Sequence, residues 1–217
     1  MNINIRGELF DLTTPKVMGV LNLTPDSFYD GGKFNDINIV DNHISKMIND
    51  GTDILDIGGY SSRPGAKEIS LQEELSRILP TLKHIRKKFP DLIISIDTFR
   101  SEIANVCLNE GADIINDISA GILDKKMLKT ISNFNCTYIM MHMLGNPQNM
   151  QNSPSYENVV IEIIQFLSER IKIARDHGIV DLISDPGFGF GKTLENNFEI
   201  LNNLEKYIPK NPKASLL

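Results

Sequence analysis

Three acceptor-bearing side chains, Asp97, Asn116 and Asp185, each stand at the end of a short apolar run rich in β-branched residues. Buried carboxylates are costly unless something pairs with them or hydrogen-bonds to them. The runs that carry these three contain no lysine or arginine, so internal pairing is the weaker account. A flat heterocycle offering a row of N–H donors, as a pterin or a guanine does, would satisfy all three. His142, between Met141 and Met143, admits two readings, a proton shuttle or a histidine packed at the rim. Its apolar neighbours favour packing.

Two polar loops could work beside them. Residues 22–32 run from Asn22 through Thr24, Asp26, Ser27, Phe28 and Asp30 to Gly31 and Gly32. Oxygen donors of this kind could hold a magnesium–diphosphate pair, since Mg²⁺ takes oxygen ligands and keeps several waters; a turn with Asx caps explains the composition equally well. Residues 58–66 place Gly58 and Gly59 before Ser61, Ser62 and Arg63. An arginine beside two hydroxyls suits an anion, and a surface turn with a solvated arginine is the alternative. The third glycine-rich segment, residues 185–193, fails both phosphate-loop patterns. A Walker A loop ending at Gly191-Lys192 needs glycine at Pro186, and a dinucleotide fingerprint from Gly187 needs glycine at Lys192. A loop presenting Asp185, Phe188, Phe190 and Lys192 remains.

Elements that could position these groups alternate along the whole chain. Strands are predicted over residues 17–21, 53–57, 92–96, 113–118, 136–141 and 180–184, and residues 213–217 open a seventh. Between them, apolar residues recur at helical spacing, as in Ile37, Val40, Ile44, Met47 and Ile48. The second helix opens on Ser70 and Glu73, a capping-box pattern, and Pro80 inside it predicts a kink or two short helices. Further helices are expected from about 101 to Gly111, around 125–132, from Val160 to Gly178 and over 194–204. Three helix-ending glycines, Gly51, Gly111 and Gly178, each precede a strand that finishes on a polar residue. Such alternation means a parallel sheet with helices outside. Because polar residues end nearly every strand (Asn22, Asp56, Asp97, Asn116, His142, Asp185), a barrel with its site on the C-terminal rim fits better than an open sheet with one switch point.

Composition narrows the function. The chain has 217 residues, 41% hydrophobic and 23% charged, with a net charge of -6. That balance suits an ordinary globular protein and argues against broad nucleic-acid binding. The basic run over residues 83–88 reads as a solvated helix end. Two cysteines, Cys107 and Cys136, are too few for a disulfide framework and read as buried structural thiols. Neither a signal peptide nor a membrane span is visible, so the expected compartment is the cytoplasm.

Taken together, several segments resemble the dihydropteroate synthase family. Residues 18–32 (Met-Gly-Val-Leu-Asn-Leu-Thr-Pro-Asp-Ser-Phe-Tyr-Asp-Gly-Gly) and 53–66 (Asp-Ile-Leu-Asp-Ile-Gly-Gly-Tyr-Ser-Ser-Arg-Pro-Gly-Ala) are similar to its two signature loops. Residues 95–98 (Ser-Ile-Asp-Thr), 115–118 (Ile-Asn-Asp-Ile), 141–143 (Met-His-Met) and 185–193 match further family motifs in the family's order.

The resemblance implies one (β/α)8 barrel domain over residues 1–217 that joins a dihydropterin methyl diphosphate to p-aminobenzoate with Mg²⁺ assistance. On that basis Asp97, Asn116 and Asp185 would bind the pterin and Asn22 would ligate Mg²⁺ against the diphosphate. Ser62 and Arg63 would contact the diphosphate and amine side, and Phe28 and Phe190 would help wall the amine. The implied catalytic set is Asn22, Arg63, Asp97 and Asp185, the cofactor Mg²⁺, and the assembly a homodimer. Two departures bear on the second loop: Tyr60 stands where the family usually has glutamate, and Ser62 where threonine is common. The family's Ser-Arg-Lys and Arg-x-His segments at its seventh and eighth strands have no counterpart in these 217 residues. The expectation is therefore an incomplete barrel of about six βα units and the start of a seventh strand, with little or no synthase activity alone. Two alternatives are a non-catalytic pterin-binding protein and a pterin-dependent methyltransferase domain; the loop from Ser61 to Ala66 speaks against the second.

Overall fold

The computed structural model describes residues 2–24, 37–63, 65–145, 147, 150, 154–207 and 214–216, with 37, 38 and 214–216 by backbone alone. Seven parallel strands follow one another in chain order in one sheet: β3 (Met18–Asn22), β4 (Ile54–Gly58), β5 (Ile93–Asp97), β6 (Ile114–Asp117), β7 (Thr137–Met141), β8 (Leu182–Asp185) and β9 (Ala214–Leu216). Helices α1 (Ile37–Asn49), α2 (Leu71–Lys88), α3 (Ser101–Asn109), α4 (Met127–Phe134), α5 (Val159–Asp176) and α6 (Leu194–Leu201) connect them. Each crossover returns the chain to the next strand in parallel. Among the described residues β3 and β9 each pair on one side only, so the sheet is an incomplete barrel, as the alternation predicts.

Side-chain alternation splits the apolar residues into two layers. Leu21, Leu55, Ile57, Ile94, Ile96, Ile115, Tyr138, Met140 and Leu182 face outward and pack with Ile44, Ile78, Leu82, Ile85, Ile103 and Ile131 of the helices. Their partners one residue along face inward: Ile54, Ile93, Ile114, Ile139 and Ile183 form a separate cluster with Ile3 and Ile5. That second cluster is closed by an element the sequence reading did not anticipate. Strands β1 (Asn2–Ile5) and β2 (Glu8–Asp11) form an antiparallel hairpin over the N-terminal end of the sheet. Its turn, Arg6-Gly7, has φ of 55° and 86°, the positive values that two-residue hairpins use. Arg6 Nε then meets Asp113 Oδ1 at 3.1 Å, and Arg86 meets the other oxygen of Asp113 at 2.7 Å, which fixes the hairpin to the barrel floor.

Five local expectations change. α2 runs as one helix through Pro80. A helix-interior proline costs about 3 kcal/mol, and the complete burial of Ile78, Leu82 and Ile85 on the same helix outweighs it. At its start Ser70 accepts from the Glu73 amide at 3.1 Å, but the Glu73 carboxylate turns to Arg77 at 2.5 Å, leaving half a capping box. A full one occurs at Thr193 and Asn196. The basic run at the end of α2 is more paired than a solvated end: Lys88 and His84 meet Asp41 at 2.5 and 2.7 Å, and Lys83 meets Glu110 at 2.9 Å. α4 is shifted two residues later than expected, and α6 gives way after Leu201 to a single turn of 3₁₀-helix at Leu204–Lys206.

Candidate active site

Parallel register brings the strand ends together. Asn22 pairs with Gly58, Gly58 with Asp97, and Asp97 with Asn116, so these four lie side by side and face inward. Gly58 leaves the space between its neighbours open: a Cβ there would stand 3.2 Å from Asp97 Oδ2 and 3.4 Å from Asn22 Oδ1. Two oxygens therefore flank a bare backbone step, a shallow cradle for a ligand or cation. One inward layer below, Asp56 accepts a hydrogen bond from Asn116 Nδ2 at 3.1 Å. Its other oxygen, Oδ1, and the hydroxyl of Ser95 beside it are buried without a well-formed hydrogen bond.

Electrostatics at this end are acid-rich. Burial raises the Asp56 carboxyl above its ordinary range, against the opposing influence of Ser95 and Asn116. Asp97 rises well above it, first through burial and then through the negative charges of Asp56, Glu74 and Asp117. Among the described residues no cation forms an ion pair with Asp97. Two neighbouring acids disfavour each other's ionisation, so both carboxyls are held above their ordinary range. Asp117, next to Asn116, belongs to the outward layer: it accepts from Tyr138 Oη, Ser119 N, Ser119 Oγ and Gly121 N at 2.7–2.8 Å and is structural.

Asp185 closes the arc from β8, level with Met141 of β7. Its carboxylate accepts from Gly187 N at 2.7 Å, yet burial pushes it up to about 6. The loop that follows folds back tightly. Gly187 has φ of 71°, and a Cβ on it would stand 2.1 Å from the His142 carbonyl oxygen, so only glycine fits. Lys192 turns inward and is 4% exposed, bonding His142 Nδ1 at 3.1 Å, His142 O at 3.2 Å and Phe190 O at 2.9 Å. Burial lowers its ammonium to about 7. His142 is pushed down to about 3 by burial and by the Lys192 charge, and its ring packs edge-on to Phe166 at 4.9 Å. The buried, edge-packed ring agrees with the packing reading. The loop thus brings a buried cation to the rim, whose charge lowers the Asp185 carboxyl while its own hydrogen bonds go to His142 and Phe190.

The remaining sequence-level candidates are placed unevenly. Ser62 is half-buried and Arg63 exposed on the loop after β4, and Phe190 is half-buried in the loop after β8. Phe28 and the rest of residues 25–36 lie outside the described residues. Asp56, Ser95 and Lys192 were not among the expected site residues. Asp56 carried a signal as a carboxylate in an otherwise apolar strand, and Lys192 as a residue presented by the glycine-rich loop. Among the described residues no three His, Cys, Asp or Glu side chains converge to hold a metal. Cys107 is buried and Cys136 partly so, both unbridged, and burial pushes each thiol to about 12, in keeping with inert structural thiols.

A family model described as pterin binding enzyme matches residues 18–216. The chain belongs to the pterin-binding enzyme family. It is 45% identical over 192 residues to the dihydropteroate synthase of Clostridium beijerinckii, spanning 88% of this chain and 68% of that one. Among solved structures it is similar to Yersinia pestis dihydropteroate synthase in a sulfonamide complex, at 39% identity and a TM-score of 0.87, covering 95% of this chain and 75% of the other. It is likewise similar to Xanthomonas albilineans dihydropteroate synthase in complex with 7,8-dihydropteroate, at 33% identity and a TM-score of 0.82, covering 95% and 73%. The family's fold is the barrel that the strand order shows, and its chemistry is that of a transferase. No described helix is long and apolar enough to cross a membrane.

Proposed function

We propose that this chain serves folate synthesis as a dihydropteroate synthase. It would condense 6-hydroxymethyl-7,8-dihydropterin diphosphate with p-aminobenzoate to give 7,8-dihydropteroate and diphosphate. The observation that carries this reading is the inward row Asn22, Asp97 and Asn116 around the open step at Gly58, with the buried Asp56 carboxyl beneath it. A pterin's N–H donors would meet Asp97 and Asn116, with Asp185 another acceptor across the arc, while Asn22 stands on the diphosphate side. A ligand that donates to Asp97 and Asp56 would satisfy two acids that have no ion-pair partner among the described residues, which is where binding energy would come from.

Ser62 and Arg63 would meet the diphosphate and the amine, and Phe190 with Phe28 would flank the amine ring. The neutral aniline nitrogen forms the new C–N bond as the C–O bond to diphosphate breaks, so charge on the leaving group is what needs stabilising. Mg²⁺ supplies that neutralisation when bound. Its fit rests on Asn22 Oδ1, a hard oxygen ligand at the open edge of the Gly58 step; diphosphate oxygens and waters would complete the shell. The reading includes a cytoplasmic homodimer, to which the exposed apolar residues Leu194, Phe198 and Leu201 of α6 lend support.

A second reading, pterin binding without turnover, is favoured by the cations of the described site. Lys192 is committed to three acceptors, and Arg63 is exposed. Calorimetry with 6-hydroxymethylpterin, run beside an assay for labelled p-aminobenzoate entering product, separates the two. Saturable binding with product supports the synthase; binding without product supports the second reading; no binding overturns both.

A further inference from the structure

Tyr60, in the loop after β4, is caged by two side chains of the loop that follows β5. Its ring meets Phe99 edge-on at 5.2 Å between centroids and an interplanar angle of 85°. The Arg100 guanidinium lies over both rings, 5.3 Å from Tyr60 and 5.4 Å from Phe99. That guanidinium is itself anchored. One nitrogen donates to Glu74 Oε2 at 2.7 Å and the other to the Ile69 carbonyl at 2.7 Å. Glu74 is fully buried on α2 and takes a second hydrogen bond, from Thr98 Oγ1 at 2.7 Å. Next to Tyr60, Gly59 is pressed onto the same helix: its carbonyl accepts from Arg77 at 2.9 Å, and a Cβ on it would stand 3.1 Å from the Glu74 carbonyl.

These contacts join two parts of the site. Thr98, Phe99 and Arg100 follow directly on Asp97, the pterin-side carboxylate, while Tyr60 precedes Ser61, Ser62 and Arg63. We propose that Tyr60 is a positioning residue, its ring caged by Phe99 and Arg100, which locks the loop bearing Ser62 and Arg63 to the strand end bearing Asp97. The proposal rests on the assignment of Ser62 and Arg63 to the diphosphate side. Arg100 is already neutralised by Glu74, so the cage requires a ring at position 60 and no second acid. A glutamate there would lose the ring contacts and set a carboxylate among Glu68 and Glu74, with Arg100 the one opposing charge and already engaged by Glu74.

The test uses the 217-residue chain with Tyr60→Phe, Tyr60→Ala and Tyr60→Glu. Hydrogen exchange of residues 59–63 is read beside calorimetry with inorganic diphosphate plus Mg²⁺ and with 6-hydroxymethylpterin. An aromatic pair and a cation–π contact together lead us to expect at least about fivefold faster exchange at 59–63 in the alanine and glutamate variants. Diphosphate affinity should fall by a similar factor, and pterin affinity should stay within about twofold. Tyr60→Phe keeps the ring and should match the wild type in all three. Unchanged exchange in Tyr60→Ala overturns the proposal. So does Tyr60→Glu matching the wild type, or exchange at β5 rising in step with the loop, which would make the role merely structural. Exchange that responds as expected in a chain that never binds diphosphate would keep the lock and sink the assignment of Ser62 and Arg63.

Discussion

Replacing Asp185 with asparagine should weaken pterin binding and at the same time make the protein more stable near neutrality. The carboxyl is held at about 6 by burial, against an ordinary 3.8. Below pH 4 it is protonated whether the chain is folded or not, and it contributes little. As pH rises toward 6 the unfolded chain releases the proton first, so the folded state is progressively penalised. Integrated between pH 4 and 6, the shift amounts to about 2 kcal/mol. Asparagine has no such titration and keeps an oxygen to accept from Gly187 N, the bond that now measures 2.7 Å. Urea unfolding of both proteins at pH 4, 5 and 6 is the assay. With an m-value of about 2 kcal/mol per molar, the midpoint of Asp185→Asn should gain about 1 M on the wild type across that range. A charge-assisted hydrogen bond to a ligand is worth about 1.5–3 kcal/mol, so pterin affinity should fall by at least about tenfold. Midpoints that stay parallel from pH 4 to 6 would refute the reasoning, because the carboxyl would then titrate alike in both states.

Other substitutions report on other parts of the site. Gly187→Ala forces a Cβ against the His142 carbonyl in a left-handed conformation, and should destabilise by about 3 kcal/mol or more by chemical denaturation. Lys192→Met should flatten stability above neutrality. Because the folded ammonium is held near 7 against 10.5, the wild type carries its full penalty below pH 7 and loses it as pH rises toward 10. The gain of wild type on variant between pH 7 and 9, read from thermal midpoints, checks the sign. Asn22→Ala should leave pterin affinity within about twofold while abolishing any Mg²⁺ dependence of diphosphate binding, measured by calorimetry with and without chelator.

Much of this architecture is legible in the sequence for simple reasons. Strands buried on both faces read as continuous β-branched runs, and a polar residue at the end of such a run has nowhere to go but the rim. Asn22, Asp97, Asn116 and Asp185 were found that way, and register then set the first three in one row. What escaped depends on long-range packing. The Asn2–Ile5 strand alternates polar and apolar residues and ends at a glycine turn, a visible hairpin signal. Its role as the barrel floor emerges only when Ile3 and Ile5 meet Ile54, Ile93 and Ile114. Lys192 is presented by a glycine-rich stretch, but its partners emerge only when the loop folds back over His142. Pro80 suggests a break because local propensity is blind to the burial on either side of it. Tyr60 reads as a departure from a family pattern, and only the positions of Phe99, Arg100 and Glu74 show what the ring touches.

The central claim is that the inward acceptors at the strand ends recognise a pterin. Calorimetric titration of 6-hydroxymethylpterin into the wild-type chain, Asp97→Asn and Asn116→Ala tests it directly, with circular dichroism to show that the variants stay folded. The account predicts saturable one-to-one binding to the wild type, weakened at least about tenfold by either substitution, with Asp97→Asn no less stable than its parent. Equal affinity for all three proteins would contradict it.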